Sequence, residues 1–105
     1  MQTQRPGPPR APRAQIALNC TLRRRTGSPI PAQTLDVGPD GMRVTSQRPL
    51  TEDETVDFDL PNFEMRIAGH ARVLRHQRAH VYVLRFEHLP EPMSRRLHAL
   101  AINSR

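Results

Sequence analysis

The most constraining feature of this chain is a strand–turn–strand pattern within residues 34–44. Apolar residues alternate with other residues on the way into the turn, at Leu35 and Val37, and on the way out, at Met42 and Val44. Between them lies Gly-Pro-Asp-Gly, in which proline presets a φ of about −65° and the second glycine is free to take a positive φ. This pattern predicts a tight β-hairpin.

Asp36 lies directly before this turn, which is flanked by Gly38 and Gly41. An ionised carboxylate only accepts hydrogen bonds, and it can take two N–H donors at once. Asp36 is therefore a candidate seat for a flat ligand edge that carries several donors.

The rest of the chain continues the strand pattern and then changes period. Alternation predicts strands over 14–23, 30–37, 41–46, 55–60, 64–76 and 80–86. Gly69, in the middle of the fifth strand, predicts a bulge or a sharp bend. Met93, Leu97, Leu100 and Ala101 follow a helical period and predict a helix over 92–102. Short strands joined by tight turns favour a six-stranded antiparallel β-barrel with one C-terminal α-helix.

Residues 1–13 differ in composition from the rest of the chain. They contain four prolines and three arginines (Arg5, Arg10 and Arg13) and almost nothing apolar. Such a segment cannot bury enough surface to offset its ordering entropy. The expected organisation is a flexible arm over 1–13 and one barrel domain over 14–105.

The charge of the chain favours an anionic partner. The formal net charge is +6, and all 16 basic residues are arginine, which binds phosphates and guanine edges through paired N–H donors. No apolar run is long enough to span a membrane, and the single cysteine, Cys20, fits a reducing cytoplasm. A cytoplasmic protein without a membrane partner is therefore expected.

The residues contain no recognisable catalytic motif. No glycine-rich phosphate loop, nucleophile–histidine–carboxylate order or paired carboxylate motif is found, so an enzyme is not expected. The five histidines form no metal-ligand pattern, so neither a metal nor a cofactor is expected.

These features together resemble the PilZ domain, the bacterial receptor family for cyclic di-GMP. The resemblance covers nearly the whole chain: an arginine-rich arm before the first strand, an Asp-x-Ser-x-x-Gly-type turn, the strand Gly69–Arg75, a strand ending in Phe86 and a terminal helix. It implies that arm arginines grip guanine edges and phosphates, and that the turn holds a guanine base. The implied ligand-binding residues are Arg5, Arg10, Arg13, Asp36, Gly38 and Gly41.

Three positions depart from the family pattern. Pro9 takes the place of the first arginine of the arm motif Arg-x-x-x-Arg, although Arg10 follows it directly. Gly38 stands where the family has serine, and Val83 stands where it often has glycine. The implied function is a cyclic di-GMP receptor whose arm becomes ordered on the ligand and signals to an unidentified effector protein.

Two other functions remain open from the sequence. Some members of the family lack the ligand motifs and act as protein-interaction adaptors, which is the main alternative. General nucleic-acid binding suits the charge, but only four aromatic residues are present, which leaves few surfaces for base stacking. Specific nucleic-acid binding is therefore not expected.

Overall fold

The strands of this chain pair into a closed barrel. The computed structural model describes residues 13–61 and 66–103. Its strands are β1 (Asn19–Arg23), β2 (Ile30–Val37), β3 (Gly41–Ser46), β4 (Thr55–Leu60), β5 (Ile67–Arg78) and β6 (Val81–Glu87), and its helix is α1 (Glu91–Asn103). All neighbouring strands are antiparallel, and they form a closed ring in the order β1-β2-β3-β6-β5-β4. The predicted fold class is confirmed.

The inward faces of the strands fill the barrel with side chains. The rings of Phe58 and Phe86 stack with their centroids 4.7 Å apart, an arrangement that adds to the gain from burying their area. Helix α1 contributes Leu97 to the same core, and its first turn is capped by the carbonyl of Pro90, which accepts from the N–H groups of Met93 and Ser94. With its interior filled in this way, the barrel leaves only its outer surface and ends for ligands.

The first strand is shorter than its alternation predicts. Residues 14–23 were expected to be extended throughout, but β1 begins at Asn19. The hydroxyl of buried Thr34 accepts from the Leu18 N–H at 2.8 Å and donates to the Ile16 carbonyl at 2.7 Å. Because a side chain satisfies these backbone groups, the segment before β1 needs no regular ladder.

The bulge expected at Gly69 lies elsewhere in β5, so that part of the prediction is wrong. Gly69 pairs in regular register with Phe58, and the shifts in β5 fall between Val73 and Arg75 and between His76 and Arg78. A Cβ added to Gly69 would lie 3.5 Å from the Phe58 ring, in ordinary contact. The second shift also moves the β5–β6 turn to Ala79 and His80, later than predicted.

Candidate functional site

A β-bulge places Asp36 on the outside of the barrel. Thr34 pairs with Val44, and both side chains are buried inside. Plain alternation would bring Asp36, two residues later, to the same inward face. Instead the register shifts by one residue, so that Asp36 lies opposite Arg43 and Val37 turns inward opposite Met42. The bulge therefore gives the outer surface a carboxylate that unbroken alternation from Thr34 would have buried in the core.

Two arginines hold this carboxylate. The Arg13 Nε donates to Asp36 Oδ1 at 2.9 Å, and its terminal nitrogen donates to the same oxygen. On the other side, the Arg43 Nε donates to Asp36 Oδ2 at 2.6 Å. The Asp36 side chain is 7% exposed, while about a third of each arginine side chain reaches solvent. The cluster therefore joins a covered anion to two cations that are open to ligands.

The arginines control the ionisation of Asp36. Burial by itself raises the pKa of a carboxyl, because it penalises the charged form. Here the hydrogen bonds and positive charges of Arg13 and Arg43 outweigh burial and hold the pKa of Asp36 below its ordinary value. Asp36 is therefore an anion at neutral pH, with its acceptors aimed at N–H donors.

Backbone pairing fixes where Arg13 leaves the barrel. Ala14 and Val37 exchange two hydrogen bonds, from the Ala14 N–H at 2.7 Å and from the Val37 N–H at 2.9 Å. The Thr34 hydroxyl ties the next residues to β2, as described above. Ala14 follows Arg13 directly and pairs with Val37, the residue after Asp36. This pairing places Arg13 next to the bulge.

An open cavity of about 360 Å³ lies beside this cluster. Its lining consists of Arg13, Asp36, Arg43, Arg75, Gln77 and Val83. Arg43 spans the cavity wall, since its terminal nitrogen also donates to Gln77 Oε1 at 3.0 Å. The strand register explains the grouping, because Asp36 pairs with Arg43, Arg43 with Val83 and Val83 with Arg75. Three guanidinium groups and one carboxylate thus face a single opening.

The turn after Asp36 is held by close backbone packing. The Gly38 N–H donates to the Gly41 carbonyl at 2.9 Å, and the Phe86 N–H donates to the Asp40 carbonyl at 2.9 Å. Gly41 does not use the positive φ that its lack of a Cβ would allow; among the glycines that the structure describes, only Gly27 has one. Gly41 is needed instead because a Cβ there would overlap the carbonyl oxygen of Leu84 on β6.

The structure brings together part of the set of residues expected to bind ligand. Arg13 and Asp36 are in direct contact, and Gly38 and Gly41 form the adjoining turn. Arg5 and Arg10, like most of the proposed arm, lie outside the described residues.

The structure also adds cavity-lining residues to which sequence reasoning gave no role in binding: Arg43, Arg75, Gln77 and Val83. The outward position of Arg43 could be predicted from the sequence. Met42 and Val44 face inward, so the residue between them must point outward.

A second cavity lies away from Asp36. It measures about 630 Å³ and is lined by Asn19, Pro31, Ala32, Gln33, Thr45, Ser46, Gln47 and His80. No arginine lines it, so it attracts an anion less strongly than the smaller cavity does. The charge therefore favours the cavity beside Asp36 as the ligand site.

In the part of the chain that the structure describes, the remaining reactive groups do not form a second site. Cys20 is a free, buried thiol, and burial raises its pKa to about 12, which keeps it unreactive as a nucleophile. Within residues 13–61 and 66–103, no three histidine, cysteine or acidic side chains are grouped to hold a metal. The same residues contain no helix of the length and hydropathy that a membrane crossing requires.

Comparisons with known proteins agree with this architecture. A family model described as the PilZ domain matches residues 9–103. The curated proteins gave no match. The solved structure of Bacillus subtilis inhibitor of motility (MotI/DgrA) is similar, with a TM-score of 0.78 and 14% identity over 95% of this chain and 52% of that one. This chain thus spans about half of that structure.

A second similar structure is the PilZ domain of CeSA from a cellulose-synthesizing bacterium. Its TM-score is 0.66, and the 14% identity extends over 87% of this chain and 95% of that one. At such identities the two structures establish the fold, while the family model confirms the predicted family.

Proposed function

The chain belongs to the PilZ domain family, and on that premise we propose that it binds cyclic di-GMP and relays this binding to a partner protein. The observation that carries the proposal is the cluster of Arg13, Asp36 and Arg43 at the mouth of the arginine-lined cavity. It joins the root of the N-terminal segment to the outer face of the barrel, where a ligand can contact both.

The chemistry of the cluster matches the two parts of the ligand. A guanine base carries O6 and N7 acceptors on one edge, and an arginine donates to both of them. The N1–H and N2–H₂ donors of its other edge suit a carboxylate such as Asp36. The two phosphates suit the remaining guanidinium groups, among them Arg75. No catalytic role is proposed.

The N-terminal arm supplies the signalling step of the proposal. Arg10 precedes Arg13 by three residues and Arg5 precedes it by eight. An extended chain advances about 3.3 Å per residue, so Arg10 is near enough along the chain to reach a ligand that Arg13 contacts. Ordering of residues 1–12 on the nucleotide would present a new surface to the effector.

Calorimetric titration with cyclic di-GMP at physiological salt tests this proposal. Wild type should bind, and Arg13→Ala should lose about 1.5–3 kcal/mol of binding free energy, the usual worth of hydrogen bonds to charged groups. Arg48→Ala is a matched control, because it removes an exposed arginine from the β3–β4 connection, outside the residues lining the cavity. No detectable heat with wild type, or equal affinities for wild type and Arg13→Ala, would contradict the proposal.

A ligand-independent adaptor is the second candidate, and one observation favours it. Both carboxylate oxygens of Asp36 already accept hydrogen bonds from the protein's own arginines. The cluster therefore needs no ligand to complete the hydrogen bonds of Asp36, and Gly38 provides no hydroxyl that could bind a base. If the chain is such an adaptor, neither wild type nor the Arg13→Ala variant should bind cyclic di-GMP.

A further inference from the structure

We propose that Arg43 determines base specificity at this site, because it competes with the exocyclic amino group of guanine for Oδ2 of Asp36. This inference rests on the proposed binding of cyclic di-GMP, but it concerns a residue outside the arm and turn motifs. It predicts a chain that discriminates poorly between guanine and hypoxanthine as long as Arg43 is present.

Both carboxylate oxygens that guanine needs are already engaged by arginines. Guanine offers N1–H and N2–H₂ in parallel, so a full pairing needs both oxygens of one carboxylate. In Asp36, Oδ1 accepts from Arg13 and Oδ2 accepts from the Arg43 Nε at 2.6 Å. Each carboxylate oxygen has a further lone pair, but only 7% of the Asp36 side chain is exposed beneath the two arginines, so guanine reaches both oxygens only if one arginine moves aside.

Arg43 is the arginine that guanine can replace at Asp36. Arg13 donates two nitrogens to one oxygen and is fixed through the backbone pairing of Ala14 with Val37. Arg43 donates only its Nε to Asp36 and has a second anchor, Gln77 Oε1, at 3.0 Å. Arg43 can thus leave Asp36 and keep a partner, which makes it the exchangeable donor.

Guanine and hypoxanthine differ only in the exocyclic amino group of guanine. Hypoxanthine has N1–H but lacks the amino group of guanine, so it can use one Asp36 oxygen while Arg43 keeps the other. Guanine gains a hydrogen bond from its amino group but loses the one that Arg43 made. Since Asp36 is nearly covered, its Oδ2 is costly to leave without a donor. With Arg43 present, the free energy gained from the amino group and the free energy lost with the Arg43 hydrogen bond nearly cancel.

The experiment measures the dissociation constants of cyclic di-GMP and cyclic di-IMP by calorimetry. Both nucleotides carry the same phosphates, so the ratio of the two constants cancels general electrostatics. Wild type should prefer guanine by less than about threefold, and Arg43→Met, which donates nothing, should raise the preference roughly tenfold or more. Arg43→Lys, which restores a donor, should return the ratio towards that of wild type.

Arg75→Met is the matched control, because it removes the same charge from the same cavity. It should weaken both nucleotides and leave their ratio unchanged. An unchanged or lower ratio in Arg43→Met, or an equal rise in Arg75→Met, would overturn the inference, as would the absence of binding by every variant. If Arg43→Met alone binds, with a high ratio, the inference holds and the proposed function of the native chain fails. Urea unfolding of each variant verifies that it is folded.

Discussion

Replacing Asp36 with asparagine isolates the electrostatic part of the cluster. The variant keeps the shape of the side chain but removes the charge that Arg13 and Arg43 share. Breaking a buried ion pair from one side costs about 3–5 kcal/mol, whereas exposed pairs are worth up to about 1 kcal/mol. Because Asp36 is covered and a third of each arginine side chain is exposed, we expect a loss of about 2 kcal/mol in unfolding free energy at pH 7.

The same variant predicts a pH dependence with a defined sign. The folded-state pKa of Asp36 lies below its ordinary value, so the stabilisation is complete above the unfolded pKa of about 3.9. It is lost as the pH falls through the folded pKa, when the carboxylate becomes protonated. The difference between wild type and Asp36→Asn should therefore shrink as the pH is lowered below about 4.

Urea unfolding followed by circular dichroism between pH 3 and 7 measures this difference, with the slope m checked for constancy. Asp57→Asn is the control, because that side chain is 60% exposed and pairs with His70 at the surface; it should change stability by less than about 0.5 kcal/mol. A difference for Asp36→Asn that is absent at pH 7, or that stays constant to pH 3, would refute the reasoning.

Three further changes test the geometry of the site. Gly41→Ala should lower the unfolding free energy by about 2 kcal/mol or more in urea titrations, because its methyl group meets the Leu84 carbonyl; Gly69→Ala, with only ordinary contacts, should cost much less. Thr34→Val should cost about 1–3 kcal/mol by the same assay and speed amide exchange at Leu18, and Thr34→Ser should restore protection. Gly38→Ser should tighten cyclic di-GMP by about 0.5–1.5 kcal/mol in calorimetry, since the hydroxyl adds one hydrogen bond; unchanged or weaker binding would contradict this.

Local sequence patterns predicted most of the fold. The bounds of β2, β3 and β4 agree with the predicted ranges, because a turn or a polar stretch lies at the end of each strand. Helix α1 begins and ends one residue outside the predicted 92–102, where the carbonyl of Pro90 serves as its cap. The apolar spacing of residues 14–18 predicts a strand that the structure lacks, because spacing does not reveal that the Thr34 hydroxyl satisfies their backbone groups.

The site was harder to predict, because it depends on contacts across strands. Asp36 and Arg13 were selected from motif positions, but their direct pairing follows from the bulge and from the position of Ala14 beside Val37. Arg75 and Gln77 reach the cavity through the register of β5 on β6, which contains two shifts. Alternation within one strand carries no information about such offsets.

The bulge in β2 gives the barrel one extra residue beside its candidate site. Deleting Leu35 would place Asp36 directly after Thr34, so Asp36 would still lie opposite Arg43 on the outer face and Val37 would still face the core, now in plain alternation. The carboxylate would therefore stay on the outer face after the loss of this codon, whereas in a strand without a bulge the same loss would turn the following residues to the other face. The strand can thus change its length during evolution without losing the site, a route that a scan of point substitutions would leave unexplored.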